Sequence, residues 1–304
     1  PAADTGSGEG AGYTVNLLSV PLLALAGGWP VAMVLLIAER VGRAIRAPIR
    51  NAMLSHAASR TGAGWAFGLH TALDQTGGMA GPLLIALLLA LGAGYRFGFA
   101  TLLAPALVSL ALLLAARLLY PDPRKLELRI TRTELAAWSG FGPAFRLYTV
   151  AGALIAAGFA DFALIGFHFA RAHVVPVAWI PALYAAAMAA EGIAALLLGR
   201  LLDRLGPRAA VAGIVLAALA APFVFLGGPA AAVVGVVLWG IGMATQDTIL
   251  HAVLSGLVPP TQRATAYGLF DALRGVAWVA GSLLLGVLYG ISLPLLVAVS
   301  AVLQ

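Results

Sequence analysis

The chain has 304 residues, 62% hydrophobic and only 10% charged, with 18 Lys+Arg against 12 Asp+Glu and no cysteine. Soluble domains average about 25% charged residues. This composition therefore excludes a soluble enzyme, a nucleic-acid-binding domain and a disordered tail, and leaves a polytopic integral membrane protein. Disulfides, thiolate metal sites and thiol nucleophiles are excluded as well.

About 20 apolar residues cross the hydrocarbon as a helix, so uncharged runs locate the spans. Residues 10–38 are uncharged but broken by Gly27-Gly28-Trp29-Pro30, which predicts helices over 13–26 and 30–48. Two further spans are expected over 75–95 and 97–116, separated by Arg96, and two more over 146–170 and 176–199. Gly227-Gly228-Pro229 divides the run 209–246 in two; a helix over 264–288 follows, and Ser292–Gln304 begins another. The expectation is about ten spans, the last cut short. Because the chain opens on Pro1, a fragment is expected.

Basic loops face the cytoplasm. Alternation puts fifteen basic residues on one side, among them Arg40, Arg43, Arg46, Arg50, Arg200, Arg204, Arg208 and Arg263, and only Arg96 and Arg171 on the other. That asymmetry predicts the basic side to be cytoplasmic, in a cell (inner) membrane. It also accounts for the net charge of +6 without a nucleic-acid partner.

Residues 66–84 and 266–284 align at a displacement of 200 without a gap, sharing Ala66, Gly68, Leu69, Ala72, Leu73, Ala80, Gly81, Leu83 and Leu84 with their counterparts. The same displacement pairs Gly27-Gly28 with Gly227-Gly228 and Ser55 with Ser255. The first four spans thus repeat in the last four, with two unpaired spans at 146–199 between them. A unit of six would then place two further helices before residue 1. Residues 13–120 are expected to superpose on 209–304 by rotation about an axis normal to the membrane.

Gly199-Arg-Leu-Leu-Asp203-Arg204-Leu-Gly206-Pro-Arg208 resembles the G-x-L-x-D-R-x-G-R-R signature of major facilitator transporters. Its short loop lets Asp203 face a neighbouring helix N-terminus, where a carboxylate is favoured by about 0.3–1 kcal/mol. Gly77-x-x-x-Gly81-Pro82 is similar to that family's GxxxGP element, and small residues four apart also suit an ordinary packing seam. The resemblance implies an all-α fold of two six-helix halves related by a pseudo-twofold. On that frame residues 1–120 are the remainder of the N-terminal half, 121–145 a cytoplasmic linker and 146–304 the C-terminal half.

Ionisable residues inside spans are candidates for substrate or proton handling, since a charge near the bilayer centre costs about 2.5–3.5 kcal/mol. They are Asp161, Asp74, Glu191, Asp247, Asp271 and Arg274, with His70, Gln75, His168 and His251 alongside. Asp271 and Arg274, spaced i,i+3, are expected to neutralise each other. Asp74 stands opposite Arg274 in the repeat, which allows a pair between halves. His168 is expected at a hydrated interface. Asp161, with no basic residue near it in sequence, is expected to be the coupling carboxylate. No phosphate loop, G-x-S-x-G or H-E-x-x-H occurs, so no enzyme, cofactor or metal is expected. The resemblance implies a monomeric secondary transporter working by alternating access, moving a small molecule by proton-coupled efflux. Metabolite uptake by a symporter of the same fold, and a structural or receptor-like membrane protein without transport, are the alternatives.

Overall fold

The computed structural model describes residues 14, 17–58, 61–92, 94–119 and 138–304. Arg60 and most of the linker expected at 121–145 fall outside the described residues.

All regular structure among them is helical. A 3-10 turn, Pro21–Leu25, precedes α1 (Trp29–Ala57), α2 (Ala63–Ala90), α3 (Tyr95–Thr101) and α4 (Leu103–Leu119). Next come α5 (Pro143–Gly158), α6 (Phe162–Arg171), α7 (Ile180–Leu205), α8 (Arg208–Ala218) and α9 (Ala220–Phe225). Then α10 (Pro229–Ala244) runs through a π turn, Thr245–Ile249, into α11 (Leu250–Leu257); α12 (Arg263–Ile291) and α13 (Leu293–Leu303) follow. Among the described residues six segments are long and apolar enough to cross a membrane: Arg96–Ala115, Pro143–Arg171, Ile180–Leu205, Arg208–Phe225, Pro229–Leu257 and Pro260–Ile291.

The displacement of 200 recurs in the helix bounds. Trp29–Ala57 matches Pro229–Leu257, and Ala63–Ala90 matches Arg263–Ile291 to within a residue. Each helix starts just after the glycine pair or turn that the repeat conserves.

Several boundaries differ from the sequence expectation, each for a physical reason. The span expected to end at 48 continues to Ala57 with Pro48 inside it, so Arg40, Arg43, Arg46 and Arg50 sit on a helix rather than a loop. Near its middle, buried Glu39 takes two hydrogen bonds from Arg43 at 3.0 and 2.8 Å, the i,i+4 spacing that favours such a pair. The next span begins at Ala63 rather than 75, which places His70, Thr71 and Asp74 in its first half.

The helix expected over 146–170 is broken. α5 stops at Gly158, Phe159-Ala160-Asp161 leave the helical conformation, and α6 restarts with Asp161 as its N-cap. Backbone groups freed within a bilayer must find partners, and here they do. Ser300 Oγ donates to the Gly158 carbonyl at 2.6 Å, and Trp239 Nε1 donates to the Ala160 carbonyl at 2.8 Å.

The described residues pack as two compact units, Pro1–Met53 with Ala80–Arg132, and Leu54–Met79 with Thr133–Gln304. In the second, Phe159, Ile165, Phe169, Leu183, Val224, Phe225, Val236, Trp239, Leu285 and Leu296 form the apolar core. Close helix approach depends on small residues, since lipid supplies no hydrophobic drive between helices. A methyl on Gly240 would overlap the Ala187 carbonyl, and one on Gly281 would overlap Ala157. The outer row of α12, Val276, Val279, Leu283 and Val287, is at least 63% exposed and suits contact with lipid.

His168, expected to be hydrated, is instead 3% exposed. Its Nδ1 lies 3.2 Å from the Tyr289 hydroxyl, and its ring packs on Phe225 and Tyr289. That hydroxyl supplies the polar partner that water was expected to supply.

Candidate transport site

The second unit contains a seam between α2 and α7, antiparallel and built from small residues three or four apart. Gly64 faces Gly199, Gly68 faces Ala195, and Gly192 faces Ala72 and Gln75. A methyl on Gly64, Gly68 or Gly199 would overlap the facing backbone carbonyl, so the two helices touch backbone to backbone. The seam expected at Gly77 and Gly81 is not where α2 makes its close contact: a methyl on either meets nothing within 4 Å. Of Pro82 only its place in α2 is described. Both spacings read alike in sequence, and only packing tells them apart.

Asp203 closes one end of the seam. Its Oδ1 accepts from Gly64 N at 2.9 Å and its Oδ2 from Trp65 N at 2.7 Å, capping the first turn of α2 from another helix. A helix N-terminus leaves four unsatisfied N–H groups and positive dipole charge, and the carboxylate answers both. The carboxyl group occupies the space a Cβ on Gly62 would need, and Gly62 itself sits at φ +96°, so that turn requires glycine twice over. Gly206, at φ +67°, ends α7 in the same permissive region. Arg200 lays its guanidinium 3.8 Å over the Trp65 ring, and Arg204 lies in the last turn of α7, where its charge suits the dipole.

At the other end of the seam stands Glu191, on α7. It is wholly buried, and neither carboxyl oxygen makes a hydrogen bond of good geometry. Gln75 of α2 is the polar side chain within reach of its carboxyl group, and Asp74 of α2 and Asp247 of the π turn act on it through their charge. Asp74 itself is exposed. Buried polar side chains are nearly always paired, so an orphaned buried carboxyl group marks either a cost the fold bears for function or a site for a ligand.

The π turn decides what faces it. Inserting one residue rotates the chain beyond it, and such bulges concentrate at functional sites. Here the turn Thr245–Ile249 directs Asp247 to Arg274 at 3.1 Å and Thr248 to the Thr71 hydroxyl at 3.0 Å. The expected i,i+3 arrangement is thereby replaced by pairs between helices. Arg274 takes Asp247, and Asp271 takes His251 at 2.9 Å, in place of each other and of Asp74.

Asp161 sits apart from this cluster. It is half-buried, and as N-cap of α6 its Oδ1 accepts from Ala163 N at 3.4 Å, so a structural task already occupies it. The sequence passed over Thr71, Thr248, Gln246 and the π turn; the run Thr245-Gln-Asp-Thr248, polar in the middle of an apolar helix, was the available signal.

Comparison with known proteins agrees with this architecture. The chain is 39% identical over 299 residues to uncharacterized proteins of Mycobacterium tuberculosis and Mycobacterium bovis, a match covering 97% of this chain and 73% of theirs. Its fold is similar to the crystal structure of a bacterial homologue of the iron transporter ferroportin in the outward-facing state. That match has a TM-score of 0.68 at 15% identity and covers 98% of this chain and 80% of the other. The sequence model of the Major Facilitator Superfamily matches residues 10–282. The Asp203 loop, the repeated helix bounds and this match lead to one conclusion: the chain belongs to the Major Facilitator Superfamily and is a multi-pass secondary transporter.

Proposed function

We propose that the chain exports a small organic molecule across the cell membrane in exchange for protons, with Glu191 as the coupling carboxylate in place of Asp161. The observation that carries this is the burial of Glu191 at the end of the α2–α7 seam, where no described cation pairs with it. An ionised carboxylate taken out of water without partners costs several kcal/mol. A closed seam and an uncompensated charge on Glu191 therefore exclude one another. Closing at the Asp203 end requires Glu191 to be neutralised, by a proton or by a cationic cargo; opening lets in water, and a bound proton can leave. If the Asp203 end is cytoplasmic, as the arginine distribution argues, the seam closes over cationic cargo, the cargo is exchanged for a proton outside, and reopening releases that proton inward.

Asp74, Glu191 and Asp247 outnumber Arg274, which favours a cationic cargo, and only a cation can take the place of the proton on Glu191. The likeness to the ferroportin homologue supports the fold. Among the described residues no group of three or more His, Cys, Asp or Glu side chains is placed to hold a metal ion.

Two measurements test the reading. Because the chain has no cysteine, single cysteines at positions 50 and 204 are expected to resist an impermeant thiol reagent in intact cells, and cysteines at 96 and 171 to react. Labelling at 204 from outside would reverse the direction of transport argued here. In proteoliposomes, an imposed pH gradient is expected to drive accumulation of ethidium, abolished by a protonophore. Ethidium movement in the same direction as the protons would make the protein an uptake symporter, and movement indifferent to the gradient would remove proton coupling.

A further inference from the structure

The pair formed by His251 of α11 and Asp271 of α12 takes no part in the seam. His251 is 5% exposed. Its Nδ1 lies 3.1 Å from the backbone carbonyl of Gln246, within the π turn, and its Nε2 lies 2.9 Å from Asp271 Oδ1. A carbonyl accepts only, and so does an ionised carboxylate. Two hydrogen bonds to two acceptors require two protons, one on Nδ1 and one between Nε2 and Oδ1. A neutral imidazole beside an ionised Asp271 is one proton short and sets a lone pair against a lone pair in a buried place, where an unmade hydrogen bond is costly.

The ring is held in that orientation. It stacks on Tyr267 at an interplanar angle of 14° and on Phe67 of α2 at 27°, and it meets Phe270 edge-on at 84°. The titratable and charged groups around it are few. From α12 these are Asp271 and Tyr267, whose hydroxyl donates to the His251 carbonyl, with Arg263 within reach of Tyr267. From α5, Tyr148 donates to the Leu250 carbonyl. The Asp247–Arg274 ion pair lies in the adjoining π turn. From α2 the contact is Phe67, an apolar ring on the same helix as the seam.

We propose that His251 and Asp271 form a second proton-binding site, whose bound proton fixes the imidazole in its aromatic cage and so ties α11 to α2 and α12. The site does not depend on Glu191 being the coupling group. The proton-bound form makes both hydrogen bonds, so the tie is complete at low pH and is lost as pH rises through the titration of the pair.

The test uses the whole chain in nanodiscs, with protons as the probe. The His251 ring nitrogens are followed by 15N NMR, assigned through His251→Phe, and the Asp271 carboxyl by infrared difference spectra, assigned through Asp271→Asn. At low pH either an imidazolium beside a carboxylate or a neutral imidazole beside a carboxylic acid is expected, since both keep the count at two protons. As pH rises one proton leaves. Over the same step, hydrogen exchange of residues 63–79, corrected for the intrinsic rate, is expected to speed up about tenfold, the loss of one hydrogen bond to a charged group. A neutral imidazole beside an ionised Asp271 at every pH overturns the proposal, and so does an exchange step that persists unchanged in Asp271→Asn. The wild-type titration carries the result even where a variant folds poorly.

Discussion

Glu191→Gln is expected to abolish proton-driven accumulation in vesicles while equal-pH exchange of cargo continues. Glutamine keeps the shape of the side chain but binds no proton, so the seam closes over it whatever the gradient. The cycle then loses its link to protons but not its ability to change state. Stability is expected to stay within about 1 kcal/mol of the parent, because the substitution neither adds nor removes volume in a packed site. The contrast with Asp161 makes the test sharp. Asparagine caps a helix about as well as aspartate, so Asp161→Asn is expected to transport normally, and Asp161→Ala to lose about 0.5–2 kcal/mol of stability. Full gradient-driven activity in Glu191→Gln together with its loss in Asp161→Asn would return the coupling role to Asp161. A loss in neither would turn attention to Asp74.

How far the sequence reaches can be judged from these same residues. Asp203 was legible as a cap, because it stands in the last turn of a helix closed by a glycine, but the turn it caps, at Gly64 of α2, lies 139 residues away in sequence. The repeat was legible as a constant displacement, but the bounds expected for α1 and α2 missed the end of the first and the start of the second. What stayed hidden depends on contacts between distant segments. A break in a helix costs backbone hydrogen bonds, and the partners that restore those of α5, Ser300 and Trp239, lie far along the chain. The π turn adds one residue to a helix and barely disturbs the apolar period that reveals helices. Pairing by i,i+3 spacing selected Asp271 with Arg274, whereas the close partners are 20 and 27 residues away, at His251 and Asp247. Between Glu191 and Asp161, each a lone carboxylate in an apolar run, sequence has no means of choosing. Burial separates them: Glu191 is enclosed with no described cation beside it, and Asp161 is half-open and occupied by a cap.

Gly199→Val is expected to shift the protein toward the state open at the Asp203 end. A Cβ at position 199 overlaps the Gly64 carbonyl, and backbone, unlike a flexible side chain, has nowhere to turn. The helices must separate, and the whole seam feels it: Gly68 against Ala195 loosens next, and the N–H groups of Gly64 and Trp65 draw away from Asp203. Overpacking of this kind costs about 1–3 kcal/mol, enough to move a two-state equilibrium about five- to 150-fold. The open state bears none of that cost, since the seam is parted there. A single cysteine at Ala195, buried in the seam, reports the change as faster alkylation in the Gly199→Val background. Asp203→Asn is expected to act in the same direction but more weakly, because one of two accepted hydrogen bonds survives. The alternative is that the seam is a permanent packing contact which never parts. In that case Gly199→Val lowers the melting temperature and Asp203→Asn does so less, but the cysteine at 195 stays unreactive in the folded protein of both variants, and the seam would have to be given up as the gate.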